Sequence, residues 1–313
     1  MHNTLSIVFP GQGSQEPGMG RDLAEYWPEA MDLWKKAERQ SGLPLREIYW
    51  DGDERAMSVT RNLQPALTVV NISLWSFLAS RISPAAVAGH SLGEYAALFA
   101  ASVLPLDQVL ELVCLRGKLM DEATNQDGRM AAVLKLSETQ VNELIRAAAS
   151  LVGQEIRIAN YNTPGQFVIS GHAQAVDHVC AGVKPLKGRA MLLPVSNAFH
   201  SPYMNEAGQE LARYMERMDW RDPRIAVYLN VTGRPEPSGQ KILATMKDQM
   251  TSSVLWTQTI ANQHADGLRL FAELGPKGAL TRMIAQILKD KAEVGTLAVS
   301  NLEQTAAVED FLK

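Results

Sequence analysis

A serine, a histidine and an arginine carry the chemistry that this sequence can be expected to perform. Ser91 lies in Ala88-Gly-His-Ser-Leu-Gly-Glu-Tyr-Ala-Ala97, which fits Gly-x-Ser-x-Gly. A short apolar run, "PAAVAG", precedes it and a helical pattern follows, which is the context of a nucleophile elbow. Small flanking residues let the chain turn sharply and lift the hydroxyl above a sheet. The next backbone N–H groups then stand at a helix N-terminus, facing any oxyanion that forms. A chance Gly-x-Ser-x-Gly in an ordinary turn would lack this strand and helix.

A serine hydroxyl needs a base. Of the six histidines, His2 is at the terminus and His90 adjoins the serine, so its ring should point away. His172 and His178 lie around a helical segment, and His264 sits near a helix end. His200, in "LLPVSNAFHSPYM", falls where a strand gives way to a loop and a new helix, the place where α/β proteins put function. No acid stands out as a third member. Asp107, Glu111, Asp121, Glu122 and Asp127 all lie between the serine and the histidine, and a backbone carbonyl would orient an imidazole equally well.

Arg116 is the third group. Val109, Leu112, Val113, Leu119 and Met120 mark an apolar stripe at helical spacing, and Arg116 stands in its middle. A guanidinium there is costly without a partner. Either a carboxylate of the protein answers it, or it waits for a ligand carboxylate, which it would bind bidentately. The Gly-rich loop "FPGQGSQEPGMG" satisfies a dinucleotide fingerprint only in part, because its third glycine position is Glu16. It is better placed to lend a backbone N–H to an oxyanion beside Ser91.

The elements that must hold these residues read as strands alternating with helices, which predicts a mostly parallel sheet covered on both faces. "LSIVFPG" and "PAAVAGHS" are strands. "AEYWPEAMDLWKKAERQSG", "PALTVVNISLWSFLASR", "GEYAALFAASV" and "LDQVLELVCLRGKLMDEATN" are helices. From residue 127 the order becomes β-α-β-β-α-β, with "IRIANYN" and "QFVISG" joined at Pro164-Gly165. That order matches a ferredoxin-like unit. The spacing therefore predicts an insert over 127–196 within a larger α/β domain of 1–126 and 197–313. After it come helix "SPYMNEAGQELARYMERM", strand "AVYLNVTG", helix "KILATMKDQM", strand "LRLFAELG" and helix "GALTRMIAQILKDK".

Composition bounds the function. With 313 residues, 46% of them hydrophobic, the chain suits one large domain carrying a small one. A net charge of −4 argues against a nucleic-acid partner. The two cysteines, Cys114 and Cys180, lack disulfide or metal-ligand spacing. The first residues form neither a signal peptide nor a membrane span. The expectation is a soluble, cytoplasmic protein without metal, monomeric by default.

Five motifs in this order, "FPGQGSQ", "GHSLGEYAAL", "LRGKLM", "AFHS" and "ELGP", give the chain its family likeness. It resembles the malonyl-CoA:acyl-carrier-protein transacylases over nearly its whole length. That family includes stand-alone fatty-acid enzymes, discrete polyketide-synthase acyltransferases and malonate decarboxylase subunits. The resemblance implies an α/β-hydrolase-like core with a ferredoxin-like insert. It implies malonyl transfer from CoA to the pantetheine thiol of an acyl carrier protein through a malonyl-serine, with no bound cofactor. Matched position by position, it makes Ser91 the nucleophile and His200 the base. The oxyanion hole falls on the backbone N–H groups of Gln12 and Leu92, and the carboxylate site on Arg116. It places Gln64, Phe199 and Leu255 at the pocket, with Leu255 at the position expected to supply the carbonyl that orients the histidine.

Some residues depart from the family. Ser253 and Leu255 stand where Pro and then Arg or Gln are common, and "ELGPKGAL" replaces a Gly-Pro-Gly run. Asn197-Ala-Phe-His200 resembles the malonyl-type His-Ala-Phe-His of polyketide acyltransferases, and Phe199 leaves little room for an α-methyl. Lys184, Lys187 and Arg189 offer a basic patch for an acidic carrier, or simply a solvated turn. A serine hydrolase or thioesterase would use the same elbow, and a non-catalytic docking subunit would keep the same fold.

Overall fold

The structure is a computed structural model that describes residues 4–123, 127–195 and 197–312. Five strands, β1 (Leu5–Phe9), β2 (Ala86–Gly89), β7 (Ala226–Tyr228), β8 (Leu270–Leu274) and β9 (Gly295–Val299), form a parallel sheet in the order β7-β2-β1-β8-β9. β1 is central and buried along its whole length. Its side chains alternate across the sheet as strand geometry requires. Leu5, Ile7 and Phe9 join the larger apolar cluster with the helices Thr60–Leu78 and Leu106–Glu122. Val8 faces the opposite cluster, with Trp256 and Ile260 of the helix Trp256–Ala265. Burial of both faces explains why β1 reads as a nearly continuous apolar run, broken only by Ser6, whose buried hydroxyl donates to Gln263 Oε1.

Four further strands, β3 (Gly128–Leu134), β4 (Ile156–Thr163), β5 (Gln166–His172) and β6 (Arg189–Leu192), make a separate antiparallel sheet in the order β4-β5-β3-β6. With the helices Glu138–Val152 and Ala173–Val183 this is the β-α-β-β-α-β arrangement anticipated above. One face of this sheet buries Ala131, Val133 and Ile169 against Val141, Ile145, Val176 and Val179. The other face turns Met130, Ala132 and Val168 toward the parallel-sheet domain. The two sheets are stitched where β4 meets the chain before Trp256. Tyr161 N–H donates to the Val254 carbonyl (2.9 Å), and Val254 N–H donates to the Ala159 carbonyl (2.8 Å). The edges expected for the insert, at 126/127 and 196/197, abut residues 124–126 and 196, outside the described residues.

Local readings differ at several places, among them the helix Trp256–Ala265, which was not among the expected elements. The first expected helix is two, Arg21–Tyr26 and Pro28–Ser41, because Pro28 cannot donate to the preceding turn and instead opens the second helix. The helix expected from Pro65 begins at Thr60 and carries Pro65 inside it. β9 was not anticipated. It is a half-exposed edge strand whose short "GTLAV" carries little apolar signal.

The turn after β2 governs the site. Its Ser91 has φ 49°, a left-handed conformation that costs a non-glycine residue energy. The chain then doubles back so tightly that a Cβ on Gly89 would lie 1.9 Å from the Gly93 carbonyl carbon. Only glycine fits at 89. Gly89→Ala should therefore lower unfolding free energy by at least ~2 kcal/mol in chemical denaturation. A loss below about 0.5 kcal/mol, the usual range of a surface change, would show that the elbow tolerates a side chain.

Candidate active site

Ser91 sits on the elbow between β2 and the helix Gly93–Ala100, and His200 reaches it from the segment that follows the antiparallel sheet. Ser91 Oγ and His200 Nε2 are 2.7 Å apart. His200 is itself in the left-handed region (φ 56°) and nearly buried, with its N–H donating to the Met250 carbonyl. Nδ1 of the ring lies 3.1 Å from the Gln249 carbonyl and 3.0 Å from the Ser252 carbonyl. Two acceptors on Nδ1 require the proton there, which leaves the Nε2 lone pair for the serine hydroxyl.

None of the five acids weighed as a third member orients this ring. Asp107 pairs with Lys36, and Asp121 and Glu122 pair with Arg61 at the surface. The orienting group is backbone, but Leu255 does not supply it, and that expectation is corrected. Leu255 is the N-cap of the helix Trp256–Ala265, so its carbonyl is taken by the N–H and hydroxyl of Thr259. The carbonyls come instead from Gln249 and Ser252, in the loop that precedes that helix.

Arg116 comes from the middle of the helix Leu106–Glu122 and is 1% exposed. Among the described residues no carboxylate lies within ion-pair distance of it. Neutral oxygens surround it. Nη1 donates to Gln64 Oε1 (2.9 Å), and Nη2 to Gln249 Oε1 (3.2 Å) and to Ser91 Oγ (3.1 Å). The guanidinium also lies over the Tyr95 ring, 5.5 Å from its centroid, and its Nε–H is buried without a partner. A cation held this way is free to take a carboxylate that arrives beside the serine. Gln64, fully buried, holds Arg116 on one side while its Nε2 contacts Met120 Sδ at 3.1 Å.

Gln12 lines the same cavity as Ser91 and Leu92 follows Ser91 in the chain, and no backbone hydrogen bond is donated by the N–H of either among the described residues. The Gly-rich loop reaches this position because Gly11 has no side chain. A Cβ there would lie 2.3 Å from the His90 carbonyl oxygen. His90 points away from Ser91, with Nε2 2.8 Å from Asn162 Oδ1 and its ring edge-on to Trp256. A cavity of about 280 Å³ opens over Ser91 and His200. It is lined by Met120, Met130, Val168, Leu193 and Phe199, with Asn160 and Asn162 of β4 as polar points in an apolar wall.

Three residues of the site escaped the sequence reading. Asn230, at the end of the β7 segment, accepts the Ser91 N–H through Oδ1 (2.7 Å) and donates from Nδ2 to the Gly89 carbonyl (2.6 Å). It holds the strained turn from both ends. Gln249 donates from Nε2 to the Ser91 carbonyl (2.9 Å) and to Glu94 Oε2 (2.7 Å). Glu94 follows the elbow and is 0% exposed. An asparagine at the C-terminal end of a parallel strand was a usable signal, and so was a lone acid in the apolar helix "GEYAALFA". A glutamine in "KDQM" was not.

The match to known proteins decides the family. A model of the acyl transferase domain covers residues 7–312. The chain belongs to that family. It is 34% identical over 313 residues to a malonyl CoA-acyl carrier protein transacylase of Haemophilus influenzae, covering 98% of this chain and 99% of the relative. It is 37% identical over 290 residues to a polyketide biosynthesis malonyl CoA-acyl carrier protein transacylase of Bacillus subtilis (91% and 98%). Among solved structures, a malonyl-transacylase in complex with its type II PKS acyl-carrier protein superposes with a TM-score of 0.92. That pair shares 32% identity over 98% of this chain and 99% of the other. The acyl transferase architecture thus accounts for the parallel sheet, the separate antiparallel sheet and the elbow.

Burial, and after it the nearby Arg116 charge, pull the His200 imidazole down from its ordinary value to about 3. A group whose pKa is lowered loses its base form only as pH falls through the lowered value. Acylation of Ser91 by an uncharged active-site reagent should therefore stay level on acidification well past His200's ordinary pKa of ~6.5. Intact-mass measurement of the labelling rate against pH checks this. A decline centred near ~6.5 would contradict the buried, proton-free histidine.

Proposed function

We propose that the chain transfers a malonyl group from CoA to the pantetheine thiol of an acyl carrier protein by a two-step, ping-pong reaction on Ser91. The observation that carries this reading is Arg116, buried, unpaired with any carboxylate among the described residues and in contact with the Ser91 hydroxyl itself. An esterase has no use for such a cation, whereas a malonyl thioester brings a free carboxylate close to its reacting carbonyl. The names of the relatives support the same choice of donor and acceptor.

His200 Nε2 accepts the Ser91 proton as Oγ attacks the thioester carbonyl. Negative charge then develops on that oxygen, where the Gln12 and Leu92 N–H groups would receive it at no reorganisation cost. Collapse breaks the C–S bond, the CoA sulfur takes the proton from His200, and a malonyl ester remains on Ser91. The carrier's thiol next gives its proton to His200 and attacks the ester, and Ser91 recovers the proton on release. In this reading Arg116 holds the malonyl carboxylate through both halves, and Gln64 keeps the guanidinium in place. The reaction calls for no cofactor beyond its thioester substrates, and its substrates place it in the cytoplasm.

Phe199, 5% exposed and next to the base, together with Met120 and Met130, narrows the cavity where an α-methyl would stand. Discrimination against one such methyl is worth only ~1–3 kcal/mol, so malonyl is favoured rather than exclusive. We also read residues 127–196 as the insert, and its β6 side as the carrier-facing side. There Lys184, Lys187 and Arg189 are exposed beside Met191 and Leu192, while Leu193 of the same segment lines the cavity.

Intact-mass measurement after brief mixing with malonyl-CoA tests the reading. A malonyl adduct should form, be absent in Ser91→Ala, and move to a carrier protein when one is added. An adduct lost equally fast without the carrier would make the protein a hydrolase. Absence of any adduct on the unaltered protein would overturn the donor.

A further inference from the structure

We propose that Glu94 is a positioning residue for carboxylate recognition: its side chain dictates which way the Gln249 amide faces, and thereby holds Arg116 ready for an acyl carboxylate. This inference rests on the malonyl-transfer reading above.

Glu94 occupies the first turn of the helix that starts after Ser91 and is wholly buried. Its Oε1 accepts the main-chain N–H of Asn230 (2.8 Å), and its Oε2 accepts from Gln249 Nε2 (2.7 Å). An ionised carboxylate offers no donor, so Gln249 has to turn its NH2 toward it. The same NH2 reaches the Ser91 carbonyl oxygen (2.9 Å). What remains of the amide, Oε1, then faces Arg116 Nη2 at 3.2 Å. Turned over, that amide would set an NH2 against a guanidinium N–H, donor against donor. The acceptor that steadies Arg116 is therefore specified from Glu94, one amide further away.

This spacing has a chemical purpose. A carboxylate directly on Arg116 would compete with the substrate's own carboxylate for the same N–H groups. Placed behind Gln249, Glu94 orients the cation and leaves its donors available. Glu94 in turn tolerates little change. The Asn230 N–H needs an acceptor, so a glutamine at 94, or a protonated carboxyl, would have to present its donor to Gln249. Gln249 would then turn its oxygen to residue 94 and its NH2 to Arg116.

The titratable and charged groups facing this network are Arg116, Tyr95, His200 and His90. Burial raises Tyr95 to about 12, lowers His200 to about 3 and also lowers His90. Burial lowers Arg116 as well, but an arginine keeps its charge. Glu94, raised by burial to about 7, is the group whose charge changes near neutrality. The network is complete above that value and is lost as pH falls through it.

The test is the ratio of kcat/KM for malonyl-CoA to that for acetyl-CoA, in the unaltered protein and in Glu94→Gln. Losing one charge-assisted contact at Arg116 should lower the ratio about tenfold in Glu94→Gln, chiefly through the malonyl KM. In the unaltered protein the ratio should fall on acidification through about 7, while in Glu94→Gln it should stay level. A folded Glu94→Gln with an unchanged ratio would overturn the proposal. If that variant does not fold, a ratio that stays level across this pH range in the unaltered protein overturns it as well. Malonyl-adduct formation on the unaltered protein separates failure of this inference from failure of the transfer reading on which it rests.

Discussion

A guanidinium kept out of water without a carboxylate beside it is the constraint on which the rest of the site depends. Taking an unpaired charge from solvent has an effective cost of several kcal/mol. Arg116 meets this with two glutamine oxygens, the serine hydroxyl and an aromatic face. Each partner is itself fixed. Gln64 is fully buried, and Gln249 is tied to the elbow through the Ser91 carbonyl and to Glu94. The cation is therefore held in place before any ligand arrives, so a carboxylate bound there would spend no binding energy on arranging it.

Ser91 depends on a second constraint, a strained turn held from several sides. Ser91 and His200 both have positive φ, and neither conformation would persist in an isolated loop. Asn230 bridges the Ser91 N–H and the Gly89 carbonyl, and the Gly11 loop presses against the His90 carbonyl. Gln249 serves both halves of the site. Its main-chain carbonyl orients the His200 ring, and its side chain orients Arg116. One residue thus couples His200 to Arg116, so disturbance of its loop should reach both side chains together.

The alternation of strands and helices, the elbow, and the buried position of Arg116 were legible in the sequence because each rests on local pattern or on the cost of a charge in an apolar stripe. The order of the insert was legible for the same reason, since Pro164-Gly165 separates two β-rich runs. Other features depend on contacts between distant segments. Gln249 lies more than a hundred residues from both Ser91 and Arg116 in sequence, and nothing in "KDQM" announces it. The Leu255 expectation failed because its carbonyl is consumed in starting a helix, while Ser252, in the same loop, has its carbonyl free for His200. β9 escaped because an edge strand that is half exposed does not need a strong apolar run.

The central claim is that Arg116 recognises the acyl carboxylate while Ser91 and His200 perform the chemistry. Rapid-quench intact-mass rates of Ser91 acylation by malonyl-CoA and by acetyl-CoA in Arg116→Ala address it most directly. Truncating one side of a buried charge pair costs ~2–5 kcal/mol, so the malonyl rate should fall about thirtyfold or more while the acetyl rate changes little. An unchanged malonyl rate, or an equal fall with both donors, would contradict the account.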